Sequence, residues 1–137
     1  MVVTLALAVL CGSSASSGNR LVGIWEATDG TGERALHSRV RYTSDRRFQL
    51  YAVGYPTPGT GWNTLGTYTL KAGKLHLAIK RVTVVGVGSD RRAYANQVLA
   101  RKFGKPEDDN FHWLDSNHFE FLYTKGRTKP LVYSRVE

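Results

Sequence analysis

A glycine two residues ahead of a tryptophan, in the run Leu21-Val22-Gly23-Ile24-Trp25-Glu26-Ala27-Thr28, sets the tightest limit on what this chain can become. Read as a strand over residues 21–28, it offers a point without a side chain, across which another strand can pass. Beside that point stands an indole large enough to plug one end of a narrow β-enclosure. The partner that suits it lies at the far terminus, in Tyr133-Ser134-Arg135-Val136-Glu137. A guanidinium laid on the indole face gains cation–π energy and ties the last strand to the first. Gly23, Trp25 and Arg135 are therefore the expected closure of a barrel. The competing reading is an ordinary core tryptophan and an unrelated surface arginine.

The rest of the chain supplies short strands. Residues 35–43 alternate, with Ser38, Val40 and Tyr42 on one side and His37, Arg39 and Arg41 on the other, the period-two mark of a half-buried strand. A turn at Thr43-Ser44-Asp45-Arg46 leads to a strand over 47–55, with Phe48, Leu50 and Ala52 on one face. Pro56-Thr57-Pro58-Gly59-Thr60-Gly61 then breaks the ladder and is the expected lid, with Trp62 either folded over an entrance or packed under its own loop. Residues 64–71 and 74–85 form a hairpin joined at Ala72-Gly73. Its second strand changes apolar phase from Leu75, Leu77 and Ile79 to Val82 and Val84, which predicts a bulge near Lys80-Arg81. Within 91–103, Tyr94, Ala95, Val98, Leu99 and Phe103 recur at helical spacing before Gly104 and Pro106, so one amphipathic helix is expected, of a size to cover one opening of a barrel. Strands over 110–114, 118–124 and 130–136 close the chain, and Glu107-Asp108-Asp109 reads as a solvated loop.

At 137 residues, 42% of them hydrophobic, the chain suits one domain with its own core. Residues 1–19 carry no charged side chain, and an apolar run precedes Gly12-Ser13-Ser14-Ala15-Ser16-Ser17-Gly18. That is the outline of a secretory leader, with small residues at Ser13 and Ala15 for cleavage after Ala15, although the usual basic start is missing. The apolar run is shorter than the roughly 18 residues a membrane span needs. The expected division is a leader over 1–19 and a barrel domain over 20–137, exported to the periplasm or secreted. The single cysteine, Cys11, falls in the leader, so the mature domain has no disulfide; a lipid anchor on Cys11 is the other outcome, disfavoured by the bulk of Leu10 before it.

Eight strands in simple up-and-down order suit a closed antiparallel barrel, because closure removes exposed edges. The predicted class is all-β, an eight-stranded antiparallel up-and-down β-barrel with one short helix. Leu21-Val22-Gly23-Ile24-Trp25, Gly66-x-Tyr68-x-Leu70 ahead of Gly73-Lys74-Leu75, the Trp113-Leu114-Asp115-Ser116-Asn117 turn and Tyr133-x-Arg135-Val136 together resemble the lipocalin superfamily, in particular its short bacterial exported members. The resemblance spans nearly the whole domain. It implies a cup that holds a small, mainly apolar molecule, with the tryptophan at the closed end and the arginine covering it. The chain departs from that pattern in lacking a disulfide pair and in placing its helix before the last three strands.

If Trp25 points inward, strand parity predicts a lining of Tyr42, Leu50, Tyr68, Leu77, Phe119, Phe121 and Tyr133, apolar with a few phenol hydroxyls. These side chains either surround a cavity or fill a narrow barrel solidly. The four histidines, His37, His76, His112 and His118, lack close ligand spacing, so no metal is expected, and no motif calls for a cofactor. Ser38 and Ser134 have no nucleophile elbow around them. An isomerase or cyclase acting on an apolar substrate would draw on Glu26, Tyr51 and His76, which parity puts on the face opposite Trp25. The formal charge of +8 follows residue 19 and crowds two hairpins, through Arg39, Arg41, Arg46 and Arg47 and through Lys125, Arg127 and Lys129. These fit weak contact with polyanions, an anionic membrane surface or another protein, without a nucleic-acid motif. The leading expectation is a monomeric carrier of a small hydrophobic molecule, with enzyme and protein- or polyanion-binding module as the alternatives.

Overall fold

The computed structural model describes residues 20–30, 32, 35–54, 57–103, 107–122 and 130–137. The leader, Cys11, Tyr55, Pro56, Tyr123 and the basic residues Lys125, Arg127 and Lys129 lie outside the described residues. Eight antiparallel strands follow one another round a closed barrel: β1 (Gly23–Asp29), β2 (Leu36–Tyr42), β3 (Arg47–Val53), β4 (Gly61–Lys71), β5 (Lys74–Val85), β6 (Glu107–Asp115), β7 (His118–Leu122) and β8 (Leu131–Arg135). Among the described residues one helix, α1 (Ser89–Phe103), stands between β5 and β6. None of the described helical residues forms a segment long and apolar enough to cross a membrane.

Period-two patterning becomes inner and outer walls. On β2, Ser38, Val40 and Tyr42 are buried while His37, Arg39 and Arg41 are exposed, and β3 repeats the rule with Phe48 and Ala52 inside. Turn chemistry sets the registers. The β4–β5 hairpin turns at Ala72 and Gly73, with φ of 53° and 73°, the left-handed pair of a tight two-residue turn. Further up, Leu65 faces Arg81 while Gly66 faces Ile79, so Lys80 is the extra residue of the expected bulge. Gly66 has no room for a side chain there, since a Cβ would meet the Ala78 carbonyl and come within 2.8 Å of the Phe48 ring.

Three expectations need correction. Residues 61–63 are not loop: β4 begins at Gly61, and Trp62 pairs with Ala52 and Val84 inside the ladder, because the strand resumes as soon as the prolines are past. Glu107, Asp108 and Asp109 likewise belong to β6, facing Leu77, His76 and Leu75. A ladder is built from backbone groups, and three carboxylates do not forbid it. The helix forms where its periodicity places it, but Tyr94 is 72% exposed and Val98 42%. α1 packs beside β5, where the Asn96 side chain accepts the Val84 N–H at 2.5 Å. Among the described residues the β5–β6 ladder spans Lys74 to Leu77, and α1 lies against the part of β5 beyond it.

Candidate functional site

The barrel is shut at the end where β1 begins. Trp25 is fully buried and its indole N–H donates to the Leu21 carbonyl at 2.8 Å. Arg135 on β8 faces Trp25 across the closing ladder, with its guanidinium carbon 4.2 Å from the ring centroid. Strand ends also interlock: Ile24 N–H donates to the Glu137 carbonyl and Val136 N–H to the Ile24 carbonyl, at 2.7 and 2.8 Å. The crossing needs Gly23, whose φ is 138° and where a Cβ would fall on the Glu137 carbonyl and within 2.7 Å of the Arg135 guanidinium. A second cation–π contact, Arg20 over Trp113 at 4.3 Å, thickens the same end and went unread in the sequence.

Above this closure the inner wall is aromatic. Phe119 sits edge-on to Trp25 at 4.6 Å and stacks on Tyr133 at 5.1 Å, while Phe111 meets Phe119 and Phe121 at 4.9 and 5.7 Å. On the opposite strands Tyr42 and Tyr68 meet edge to face at 4.9 Å, and the Tyr68 hydroxyl donates to the Thr43 carbonyl at 2.8 Å. Burial pushes the Tyr68 phenol pKa above its ordinary value, with the Arg46 charge pulling it partly back. The structure thus gathers the expected lining into one place. Tyr42, Tyr68, Leu77, Phe119, Phe121 and Tyr133 join one buried cluster, and Leu50 packs against it partly buried. In this lower half they pack against one another.

The registers then order the inner wall in rows. One row around the sheet runs Gly23, Tyr42, Phe48, Gly66, Ile79; the next runs Trp25, Val40, Leu50, Thr64, Val82; the third, toward the other end, runs Ala27, Ser38, Ala52, Trp62, Val84. The third row sets the small side chains of Ala27, Ser38 and Ala52 beside one ring, Trp62. Ser38 and Thr64 are only 7% and 5% exposed, and neither hydroxyl has a hydrogen-bond partner among the described residues. A buried hydroxyl left without a partner costs about 1–3 kcal/mol. Sequence parity placed Ser38 on this wall; a missing partner has no local sequence signal, and Thr64 was not singled out.

At the rim, part of the expected lid is a tight turn. Thr60 donates its N–H and its hydroxyl to the Thr57 carbonyl at 3.1 and 2.7 Å, and Gly54 N–H donates to the Thr60 carbonyl at 2.8 Å.

The outer wall carries two concavities. One, of about 190 Å³, is lined by Glu26, Thr28, His37, Arg39, Tyr51 and Val53 with Ala27 and Ser38 beneath; Glu26 pairs there with Arg39 at 3.5 Å and His37 with Thr28 at 3.2 Å. The other, of about 430 Å³, lies over Gly66 and Phe48 between Arg41, Arg47, Gln49, Thr67 and Lys80. Glu26 and Tyr51 share the first, but His76 faces Thr69 on the β4–β5 ladder, so the three enzyme candidates do not meet. His112 lies 3.4 Å from Glu120, and His118 2.8 Å from Asp115. Among the described residues no three His, Cys, Asp or Glu side chains converge as a metal site would need.

Compared with models of known protein families and with curated proteins, the chain matches none.

Proposed function

We propose that this chain is an exported carrier that binds a small, mainly apolar molecule inside its barrel, in the manner of the lipocalins its motifs resemble. The observation that carries the reading is the uneven inner wall: packed rings seal the Trp25 end, and toward the other end Ala27, Ser38 and Ala52 leave a run of small side chains beside Trp62. A barrel evolved only as a solid scaffold has no need of that contrast, whereas a cup needs a packed floor and a roomier upper wall. The apolar leader over 1–19 supports export. Protein purified from its own host, sprayed under native conditions, should carry a co-purifying small molecule. It should also take up N-phenyl-1-naphthylamine with enhanced fluorescence. A clean apo mass together with no dye uptake sinks the reading.

A second reading rests on the outer concavity between Arg41, Arg47 and Lys80, which fits weak contact with anionic polymers or lipid headgroups. Such binding would give retention on heparin that disappears at modest salt while the fold persists.

A further inference from the structure

Two hydroxyls face the inside of the barrel with no hydrogen-bond partner among the described residues. Ser38 lies between Ala27 and Ala52 in the third row, and Thr64 lies between Leu50 and Val82 in the second. Both are more than nine-tenths buried, and Ser38 stands among the small side chains of Ala27 and Ala52. No described residue bonds to either hydroxyl, so each is left to whatever occupies the barrel's interior. The described side chains that share this part of the wall, Ala27, Ala52, Leu50, Val82 and Trp62, bring no charge. The one inward cation of the closing strand, Arg135, is already stacked on Trp25 and bonded to the Val22 carbonyl at the other end.

We propose that Ser38 and Thr64 form the polar subsite of the lumen, and that its ligand is a neutral amphiphile: an apolar chain or ring bearing an uncharged hydrogen-bonding group such as an alcohol, amide or ketone. The inference rests on the carrier reading and narrows it. A pure hydrocarbon would leave both hydroxyls buried and unmatched, which a wall of the same shape with alanine and valine would not. A carboxylate would lose its hydration against a wall whose described residues offer no countercharge at this height. An uncharged group that accepts or donates meets the hydroxyls on either term, since each can do both.

The test uses the full chain with bound N-phenyl-1-naphthylamine displaced by decan-1-ol, decane or decanoate. Decan-1-ol should displace the dye at a concentration at least tenfold lower than either of the others. In the Ser38→Ala, Thr64→Val double variant that advantage should shrink at least tenfold, with displacement by decane unchanged. Thr64→Ser and Ser38→Thr, which keep the hydroxyls, should retain the preference and guard against a variant that simply fails to fold. Decane competing as well as decan-1-ol overturns the proposal, because the hydroxyls are then satisfied by retained water. Strongest displacement by decanoate overturns it too, in favour of charge recognition. In both cases the carrier reading survives, whereas a chain that binds no dye at all removes both.

Discussion

Arg135 holds its guanidinium carbon 4.2 Å from the centroid of the Trp25 ring and from the same planar fork donates to the backbone carbonyls of Val22, at 3.0 Å, and Arg20. One side chain from the end of the chain thereby covers the indole and fixes the segment leading into β1. Charge, stacking and geometry act together. A lysine, with a single ammonium and no flat face, can reproduce at most one of those contacts at a time.

Removing the indole should therefore cost more than removing its cover. Trp25→Ala is expected to lose about 3–5 kcal/mol, as a large buried ring replaced by a cavity. Arg135→Ala should lose less, and the two should couple by about 1 kcal/mol in a double-mutant cycle. Chemical denaturation of the four proteins measures both quantities. A Trp25→Ala loss under about 1 kcal/mol would place the indole outside the core.

The β4–β5 turn offers a change in the opposite direction. Ala72 occupies a left-handed conformation that its Cβ resists, at a cost of about 1–2 kcal/mol, whereas asparagine tolerates it and is the favoured residue before glycine in such turns. Ala72→Asn should raise stability by about 0.5–1 kcal/mol without altering any buried contact. A lower melting temperature in that variant would show that the turn is not of this type.

Much of this architecture is legible from alternation alone. The inner set Ser38, Val40, Tyr42 and the bulge at Lys80 follow from a period of two and from its interruption, both local signals. The Trp25–Arg135 pair was legible because a side-chain-free position and a large ring two residues apart call for a partner of a particular kind. Contacts that depend on how separate strands curl were not. Nothing near Arg20 announces Trp113, and nothing in Glu107-Asp108-Asp109 announces that their backbone completes the ladder with β5. The helix was legible in place but not in its contacts: spacing shows which side chains share a stripe, but not that Tyr94 and Val98 meet solvent or that Asn96 meets the Val84 N–H.

Tyr68 gives the fold a sensitivity to alkali. Its phenol is raised by burial, so in the folded chain it keeps its proton to a higher pH than in the unfolded one. The stabilisation is whole below the unfolded phenol value near 10 and is lost as pH rises through the folded value. Stability of the native chain should thus fall more steeply above about pH 10 than that of Tyr68→Phe. At neutral pH the same variant should lose about 1 kcal/mol for the missing bond to the Thr43 carbonyl. Parallel pH slopes in the two proteins would mean that the phenol titrates freely.

The acid side is governed by Asp115 in the β6–β7 turn. The Asn117 N–H, at 2.7 Å, and then the His118 ring hold its carboxyl pKa below the usual range. Its contribution is present above the unfolded carboxylate value near 4 and disappears as pH falls through the lower, folded value. Asp115→Asn should flatten the acid limb of the stability profile while leaving the alkaline limb as it was. The side chain is exposed, so added salt should shrink the difference.

The attachment of α1 is the most local of these expectations. Tyr94 and Val98 are turned to solvent, and the Asn96 acceptor on the Val84 N–H is a directional tie to the edge of β5. Asn96→Ala should leave the barrel core intact and change the melting temperature little. Hydrogen exchange at Val84 and through the helix should nevertheless quicken by about tenfold, as a bond worth about 1 kcal/mol is removed from a segment that opens on its own. Asn96→Asp keeps an acceptor at that position and should restore most of the protection. Unchanged exchange in Asn96→Ala would mean that apolar packing against β5, and not this hydrogen bond, holds the helix in place.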